Sequence, residues 1–125
     1  MARILVIDDH DEFQSMLCEL LRKAGHEVTG ASDGNEGILL GKKLNLDLVI
    51  TDIIMPNKEG METIIEFKKL LPNLPIIAIS GGGRGDPQNY LKGTRLLSNV
   101  KYTFAKPLET DKLLQAIDDL VGKEL

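Results

Sequence analysis

A single cysteine, Cys18, stands in a chain of 125 residues, so no disulfide within the chain can support the fold. Its sequence neighbours Phe13, Met16, Leu17, Leu20 and Leu21 put it on an apolar helix face, where packing is the expected role and a reducing compartment fits. No apolar run approaches the roughly 18 residues that a membrane span requires. Nor does a basic-then-apolar leader precede the first strand-like run, so the expected location is the cytoplasm, with no membrane partner. A surplus of positive charge is missing too: 15 Lys and Arg stand against 19 Asp and Glu, a net charge of −4. A nucleic-acid binder needs a clustered basic footprint to meet phosphate, so nucleic acid is not an expected partner. What the chain does have is 42% hydrophobic residues, enough at this length to build one core, and one domain over residues 1–125 is expected.

Those hydrophobic residues are distributed in two alternating patterns. Short apolar runs, Ile4-Leu5-Val6-Ile7, Leu46-Asp47-Leu48-Val49-Ile50 and Ile76-Ile77-Ala78-Ile79, read as buried strands, as in a parallel sheet. Glu27 to Ala31 is a weaker strand, and Tyr102-Thr103-Phe104-Ala105 a short fifth one. Between them the spacing turns helical. Phe13, Met16, Leu17, Leu20 and Leu21 form one stripe, ended by Ala24-Gly25-His26. Asp33, with Glu36 three residues on, opens a second helix through Lys43, in which Gly34, Gly37 and Gly41 predict a short or mobile element. Met61, Ile64, Ile65, Phe67 and Leu71 stripe a third, entered at Gly60, which is expected to let the preceding loop turn, and closed by Pro72. A fourth is expected to open at Asp86-Pro87, and Leu113, Leu114, Ile117, Leu120 and Val121 mark a last one. Five strands alternating with five helices predict an α/β fold with a doubly wound parallel sheet.

In such a sheet the ligand crevice lies beyond the carboxyl ends of the strands. Asp8 and Asp9, Asp52, Ser80 and Lys106 all fall at or just past such ends, so residues scattered in sequence are expected to meet in space. Alone, each has an ordinary explanation. A strand-end aspartate is more often a cap or turn former, Asp8-Asp9 could simply cap the first helix, and Ser80 and Lys106 would be a turn residue and a surface lysine. Their joint placement is the signal. Three carboxylates packed together repel unless a cation neutralises them, and a hard divalent ion such as Mg²⁺ prefers such oxygen ligands. One ion, one ammonium and one hydroxyl around an acidic pocket suit a phosphoryl group, whose transfer needs mainly positioning and charge neutralisation. Asp52, the carboxylate that stands apart, is the candidate nucleophile.

Taken together, Ile4-Leu5-Val6-Ile7-Asp8-Asp9, Asp52-Ile53-Ile54-Met55-Pro56 with Gly60, Ser80, and Lys106-Pro107 resemble the receiver domain of two-component response regulators, in the single-domain form of chemotaxis regulators. The resemblance covers the whole chain and implies a flavodoxin-like sheet of strand order 2-1-3-4-5. It implies that Asp52 takes a phosphoryl group from a histidine kinase or phosphotransfer protein. Mg²⁺ would be ligated by Asp9, Asp52 and the backbone carbonyl of Ile54, with Asp8 helping mostly through water. Ser80 would bind a phosphoryl oxygen, and Lys106 would pair with Asp52 or its phosphate, next to a cis Lys106-Pro107 bond. The phosphorylation state would be relayed through the face of the fourth helix, fifth strand and last helix to a downstream protein. By this reading the chain is a stand-alone switch and not an enzyme, either a monomer or a weak phosphorylation-dependent dimer.

Two readings of other classes compete. A pseudo-receiver would bind partners without phosphorylation, although all five site residues are present here. A metal-dependent hydrolase with an aspartyl-phosphate intermediate, like the haloacid-dehalogenase-like phosphatases, typically needs Asp-x-Asp; here Ile53-Ile54 follow Asp52 and the acid is missing.

The chain departs from the family in three places. Where the family usually has an aromatic switch residue, three positions before the lysine, stands Thr103; because side chains alternate along a strand, neither Tyr102 nor Phe104 points where that residue would. The stretch after Ser80 is glycine-rich, Gly81-Gly82-Gly83-Arg84-Gly85, and lacks both the Gly-Lys-Ser/Thr ending of a P-loop and the last glycine of a dinucleotide loop. It reads as a flexible loop over the site, with Arg84 solvated. Ile54 and Gly82 lie two residues beyond Asp52 and Ser80, at positions that in the family influence hydrolysis, and neither side chain can orient a water. Self-dephosphorylation in Mg²⁺ buffer without a phosphatase is therefore expected to be slow; decay of the phosphorylated form within seconds would contradict this.

Overall fold

The computed structural model describes residues 2–53, 60–80 and 97–122. They alternate strand and helix: β1 Arg3–Ile7, α1 Asp11–Lys23, β2 Glu27–Ala31, α2 Gly34–Lys43, β3 Leu48–Asp52, α3 Gly60–Leu70, β4 Ile76–Ser80, β5 Val100–Ala105 and α4 Thr110–Val121. The strands form one parallel sheet in the order β2-β1-β3-β4-β5, as the resemblance implies. The helix count differs from the expected five. Four are present among the described residues, and the helix expected to open at Asp86-Pro87 falls on residues outside them. Among the described residues no helix is long and apolar enough to cross a membrane.

The unbroken apolar runs are buried on both faces because each face carries its own helix layer. Ile4, Val6, Leu48, Ile50, Ile77 and Ile79 meet Leu17, Cys18 and Leu21 of α1 and Leu113 and Ile117 of α4. The alternate residues Leu5, Ile7, Val49, Ile76 and Ala78 meet Ile38 of α2 and Ile64 and Phe67 of α3 on the other side. Side chains of this kind contribute about 1.5–3 kcal/mol each when fully buried, and they hold the three central strands in register. Cys18 is part of the first layer, and burial pushes its thiol up from the ordinary value while Arg22 opposes the shift. The packing role expected of it is the one it has.

Local chemistry ends the helices where the sequence places the ends. Gly25 adopts φ +98°, and Gly25 N–H and His26 N–H donate to the carbonyls of Arg22 and Leu21, closing α1 in a Schellman motif. Asp33 caps α2, its Oδ1 accepting from Glu36 N–H at 2.9 Å, while Glu36 reaches back to Ser32 N–H. The glycines of α2 have a different meaning from the one expected. The element is short, at 10 residues, but its glycines are buried contact points: a Cβ on Gly37 would meet Ile7, and one on Gly41 would lie 2.6 Å from Phe67.

Gly60 also acts through space. A Cβ there would collide with the carbonyl oxygen of Asp52 and the backbone of Ile53, and Gly60 N–H donates to Ile53 C=O at 2.8 Å. The first turn of α3 thus rests directly on the end of β3. Gly60→Ala gains at most about 1 kcal/mol of helix propensity, whereas overpacking costs about 1–3 kcal/mol and here meets backbone that no rotamer change relieves. The variant is expected to unfold at lower urea concentration with an unchanged slope; a midpoint equal to or above that of the parent would refute the contact.

Candidate functional site

The register of the central strands assembles the site. Ile7 pairs with Thr51, so Asp8, the residue after β1, emerges beside Asp52, the last residue of β3. Asp52 pairs with Ile79, and Ser80 closes β4 one residue further on. Lys106 follows β5, and its backbone N–H donates to Ser80 C=O at 2.7 Å, which fixes where its side chain starts. From there the side chain crosses β4, and Nζ lies 3.2 Å from both Asp8 Oδ2 and Asp52 Oδ2. The two carboxylates are almost fully buried, at 2% and 3% exposure. Lys106 Nζ also sits 4.1 Å from the centre of the Phe13 ring, whose face favours a cation. The Lys106-Pro107 bond is cis, as the resemblance implies.

Asp8 is held from several sides. Its Oδ1 accepts from His10 N–H at 2.8 Å, and its backbone carbonyl accepts from Gln14 Nε2 at 2.9 Å. Gln14 Nε2 also donates to Ala31 C=O at 2.8 Å, tying the ends of β1 and β2 together. Asp8 and Asp9 do not cap α1, whose N-cap residue His10 makes no side-chain cap. Asp9 is half-buried, and its Oδ1 is one of two buried oxygens at this end of the sheet with no hydrogen-bond partner among the described residues; the other is Ser80 Oγ. His10 Nδ1 lies 3.4 Å from Asp9 Oδ1 and 3.5 Å from Asp8 Oδ1. One ligand atom from each of Asp8, Asp9, His10 and Asp52 falls within 4.8 Å of the others.

This donor set fits a hard divalent cation. Two carboxylates meet one ammonium and a third, Asp9, lies in the same cluster, a net negative pocket, and a buried oxygen such as Asp9 Oδ1 costs free energy until a proton donor or a metal meets it. Of the site residues expected from sequence, Asp8, Asp9 and Asp52 cluster with His10, Asp8 and Asp52 share the Lys106 ammonium, and Ser80 is joined to Lys106 through the backbone. The Ile54 carbonyl, Gly82 and Arg84, with the whole Gly81 to Gly85 loop, lie outside the described residues. Sequence reasoning missed His10, Phe13 and Gln14. Phe13 was absorbed into a helix stripe, Gln14 reads as a polar residue on the same helix, and His10 carried one usable signal, its place directly after two aspartates. A cavity of about 480 Å³, lined by residues including Asn45, Asp47, Leu71 and Pro75, lies at the opposite ends of the strands from this site.

Thr103 occupies the expected position on the strand, paired with Ala78, and is half-buried. Its neighbours point away from it. Tyr102 and Phe104 pair with Ile77 and Ile79 and pack on the α1 and α4 layer, their rings 6.4 Å apart and 11° from parallel. The Tyr102 hydroxyl donates to Asp119 Oδ2 at 3.1 Å, and this hydrogen bond above all, then partial burial and the Asp119 charge, raises it above the ordinary phenol range.

Comparison with known proteins gives the same reading. The model of the response regulator receiver domain matches residues 4–118. Chemotaxis protein CheY of Thermotoga maritima is 32% identical over 93% of this chain and 94% of its own length. Protein PilH of Pseudomonas aeruginosa is 29% identical over 98% and 99%. Transcriptional regulatory protein GlrR of Escherichia coli is 31% identical over 94% of this chain, which spans 26% of GlrR. Among solved structures, a response regulator receiver domain protein from Clostridium thermocellum superposes with a TM-score of 0.86 at 32% identity, covering 97% of this chain and 94% of that one. Response regulator TrrA of Thermotoga maritima, solved with Mg²⁺ and BeF, gives 0.79 at 28% identity, over 96% of this chain and 99% of its own. With its sheet order and its acidic pocket at the strand ends, the chain belongs to the response regulator receiver family, whose members are phosphorylation-controlled signalling switches.

Proposed function

We propose that residues 1–125 act as one receiver domain in which Asp52 accepts a phosphoryl group from the phosphohistidine of a histidine kinase or phosphotransfer protein. A carboxylate oxygen of Asp52 bonds to phosphorus as the phosphorus–nitrogen bond of the donor breaks, and the electron pair leaves with the donor imidazole. The observation that carries this reading is the buried ammonium of Lys106, 3.2 Å from Asp52 and from Asp8 in a pocket with an excess of carboxylates. Such a pocket is arranged to meet added negative charge with positive charge already in place. Asp9, Asp52 and the Ile54 carbonyl are the ligands assigned to Mg²⁺, with Asp8 acting mostly through water; the ion, when bound, neutralises phosphoryl oxygens. Lys106 then pairs with the phosphoryl group or with the carboxylate. Ser80 Oγ is the donor assigned to a phosphoryl oxygen, a role supported by its being buried without a hydrogen-bond partner among the described residues.

The state of Asp52 passes outward through the backbone that joins Ser80 to Lys106 and so to β5 and α4, which a downstream protein reads. The rings of this face are poorly suited to a rotamer relay, because Tyr102 is tied to α4 by Asp119 and stacked on Phe104. The protein works in the cytoplasm, as the absence of a spanning helix among the described residues permits.

Two outcomes test this reading. Beryllofluoride, a phosphoryl analogue, is expected to bind the parent only when Mg²⁺ is present and to leave Asp52→Asn unbound, as read by isothermal titration; a parent that does not bind it would point to an interaction module that works without phosphorylation, and equal binding to both proteins would put the acceptor elsewhere than Asp52. In the beryllofluoride-bound state, the ring signals of Tyr102 and Phe104 in NMR spectra are expected to keep their mutual contacts, and their separation would restore an aromatic relay.

A further inference from the structure

Phosphoryl transfer to Asp52 does not call on His10, yet the exposed His10 ring stands at the rim of the site. Its backbone is extended at φ −87° and ψ 104°, the conformation of a residue that precedes a helix, and its N–H is fixed to Asp8 Oδ1. The ring turns toward the two aspartates before it: Nδ1 approaches Asp9 Oδ1 at 3.4 Å and Asp8 Oδ1 at 3.5 Å. Asp8 thus offers Oδ2 to the ammonium of Lys106 and Oδ1 to the imidazole, and Asp9 Oδ1 between them has no hydrogen-bond partner among the described residues. The four candidate ligand atoms of Asp8, Asp9, His10 and Asp52 lie within 4.8 Å of one another. Metal bonds of about 2.1 Å set adjacent ligand atoms about 3 Å apart and opposite ones about 4.2 Å apart, so little contraction closes this set around one ion.

We infer that His10 is a further ligand of the divalent ion, and that this imidazole gives the site a preference for first-row transition ions such as Mn²⁺, Co²⁺ and Ni²⁺ over Mg²⁺. The chemistry is specific. Mg²⁺ takes oxygen ligands and gains little from a ring nitrogen, whereas imidazole suits the later transition ions, whose affinity for such sites rises along the series. The only other histidine, His26, is engaged elsewhere, its Nδ1 accepting from Ala2 N–H at 3.1 Å where α1 leads into β2. The inference rests on the proposed metal site, since His10 is to complete the same set that serves Asp52.

Calorimetric titration of metal-free protein with MgCl₂ and with NiCl₂, each alone and in competition, separates the two ideas. The parent is expected to bind both ions at one site, with Ni²⁺ displaced by excess Mg²⁺. His10→Gln is expected to weaken Ni²⁺ about tenfold or more while changing Mg²⁺ by less than about twofold, the loss of one imidazole ligand. His26→Asn is expected to leave both affinities in place, and Co²⁺ is expected to lose visible absorption intensity only in His10→Gln. An unchanged Ni²⁺ affinity in His10→Gln, an equal loss for both ions, or Ni²⁺ that Mg²⁺ cannot displace overturns the inference and leaves the phosphoacceptor reading standing. Failure of the parent to bind Mg²⁺ at all overturns that reading and the inference together.

Discussion

Lys106 spans three strands to place one ammonium between two buried carboxylates, and most of the site's surroundings serve to keep it there. Asp8 and Asp52 are neighbours because β1 and β3 are neighbours, and each is almost completely withdrawn from water. Withdrawing two like charges together is costly unless a cation shares the space. Stranding such charges by removing a partner typically costs about 3–5 kcal/mol. The backbone bond from Lys106 to Ser80 and the Phe13 ring beside Nζ both act on where that ammonium sits. One lysine does not balance three aspartates. The remaining negative charge is what fits the pocket to a divalent cation.

The same demand for closeness explains the glycines. Gly37 and Gly41 allow α2 to settle against Ile7 and Phe67, and Gly60 lets α3 begin on the backbone of Asp52 itself. The helix layer on that face is pressed close to the sheet, so the end of β3 is supported by backbone rather than by side chains that could change rotamer. A carboxylate set on such a support has little freedom, which suits the positioning-dependent reaction proposed for Asp52.

Much of this was legible in the sequence, because the signals were strong and local. Period and run length gave the five strands, and caps such as Asp33 and Gly25 marked helix ends that the structure reproduces. The convergence of Asp8, Asp9 and Asp52 came from the rule that parallel sheets gather their ligands at strand ends. Packing distances, by contrast, escaped. Glycines in α2 looked like defects because propensity is a property of the isolated helix, whereas their value lies in Ile7 and Phe67, far away in sequence. Phe13 and Gln14 fitted the periodic pattern of α1, and a pattern says only which face a residue occupies, not that its ring will lie beside an ammonium from the end of β5. His10 was hidden for another reason: a turn residue reveals its direction only through φ and ψ.

Strand β5 shows how a small irregularity decides what the output face contains. Its pairing with β4 slips between Ile76 and Ile77, so Val100 lies opposite Ile76 while Tyr102 lies opposite Ile77. The extra residue, Lys101, reverses the faces of the residues after it, as a bulge does. Val100 joins the core under α2 and α3, whereas Tyr102 and Phe104 join the layer of α1 and α4. Thr103, a small β-branched residue, is left on the face opposite the two rings, and the rings are stacked where Asp119 of α4 can hold the Tyr102 hydroxyl. An aromatic side chain at position 103 could swing between two packings. Threonine has few rotamers to offer, so the relay proposed from Ser80 would travel by displacement of the strand and its connections rather than by rotation of a ring within it.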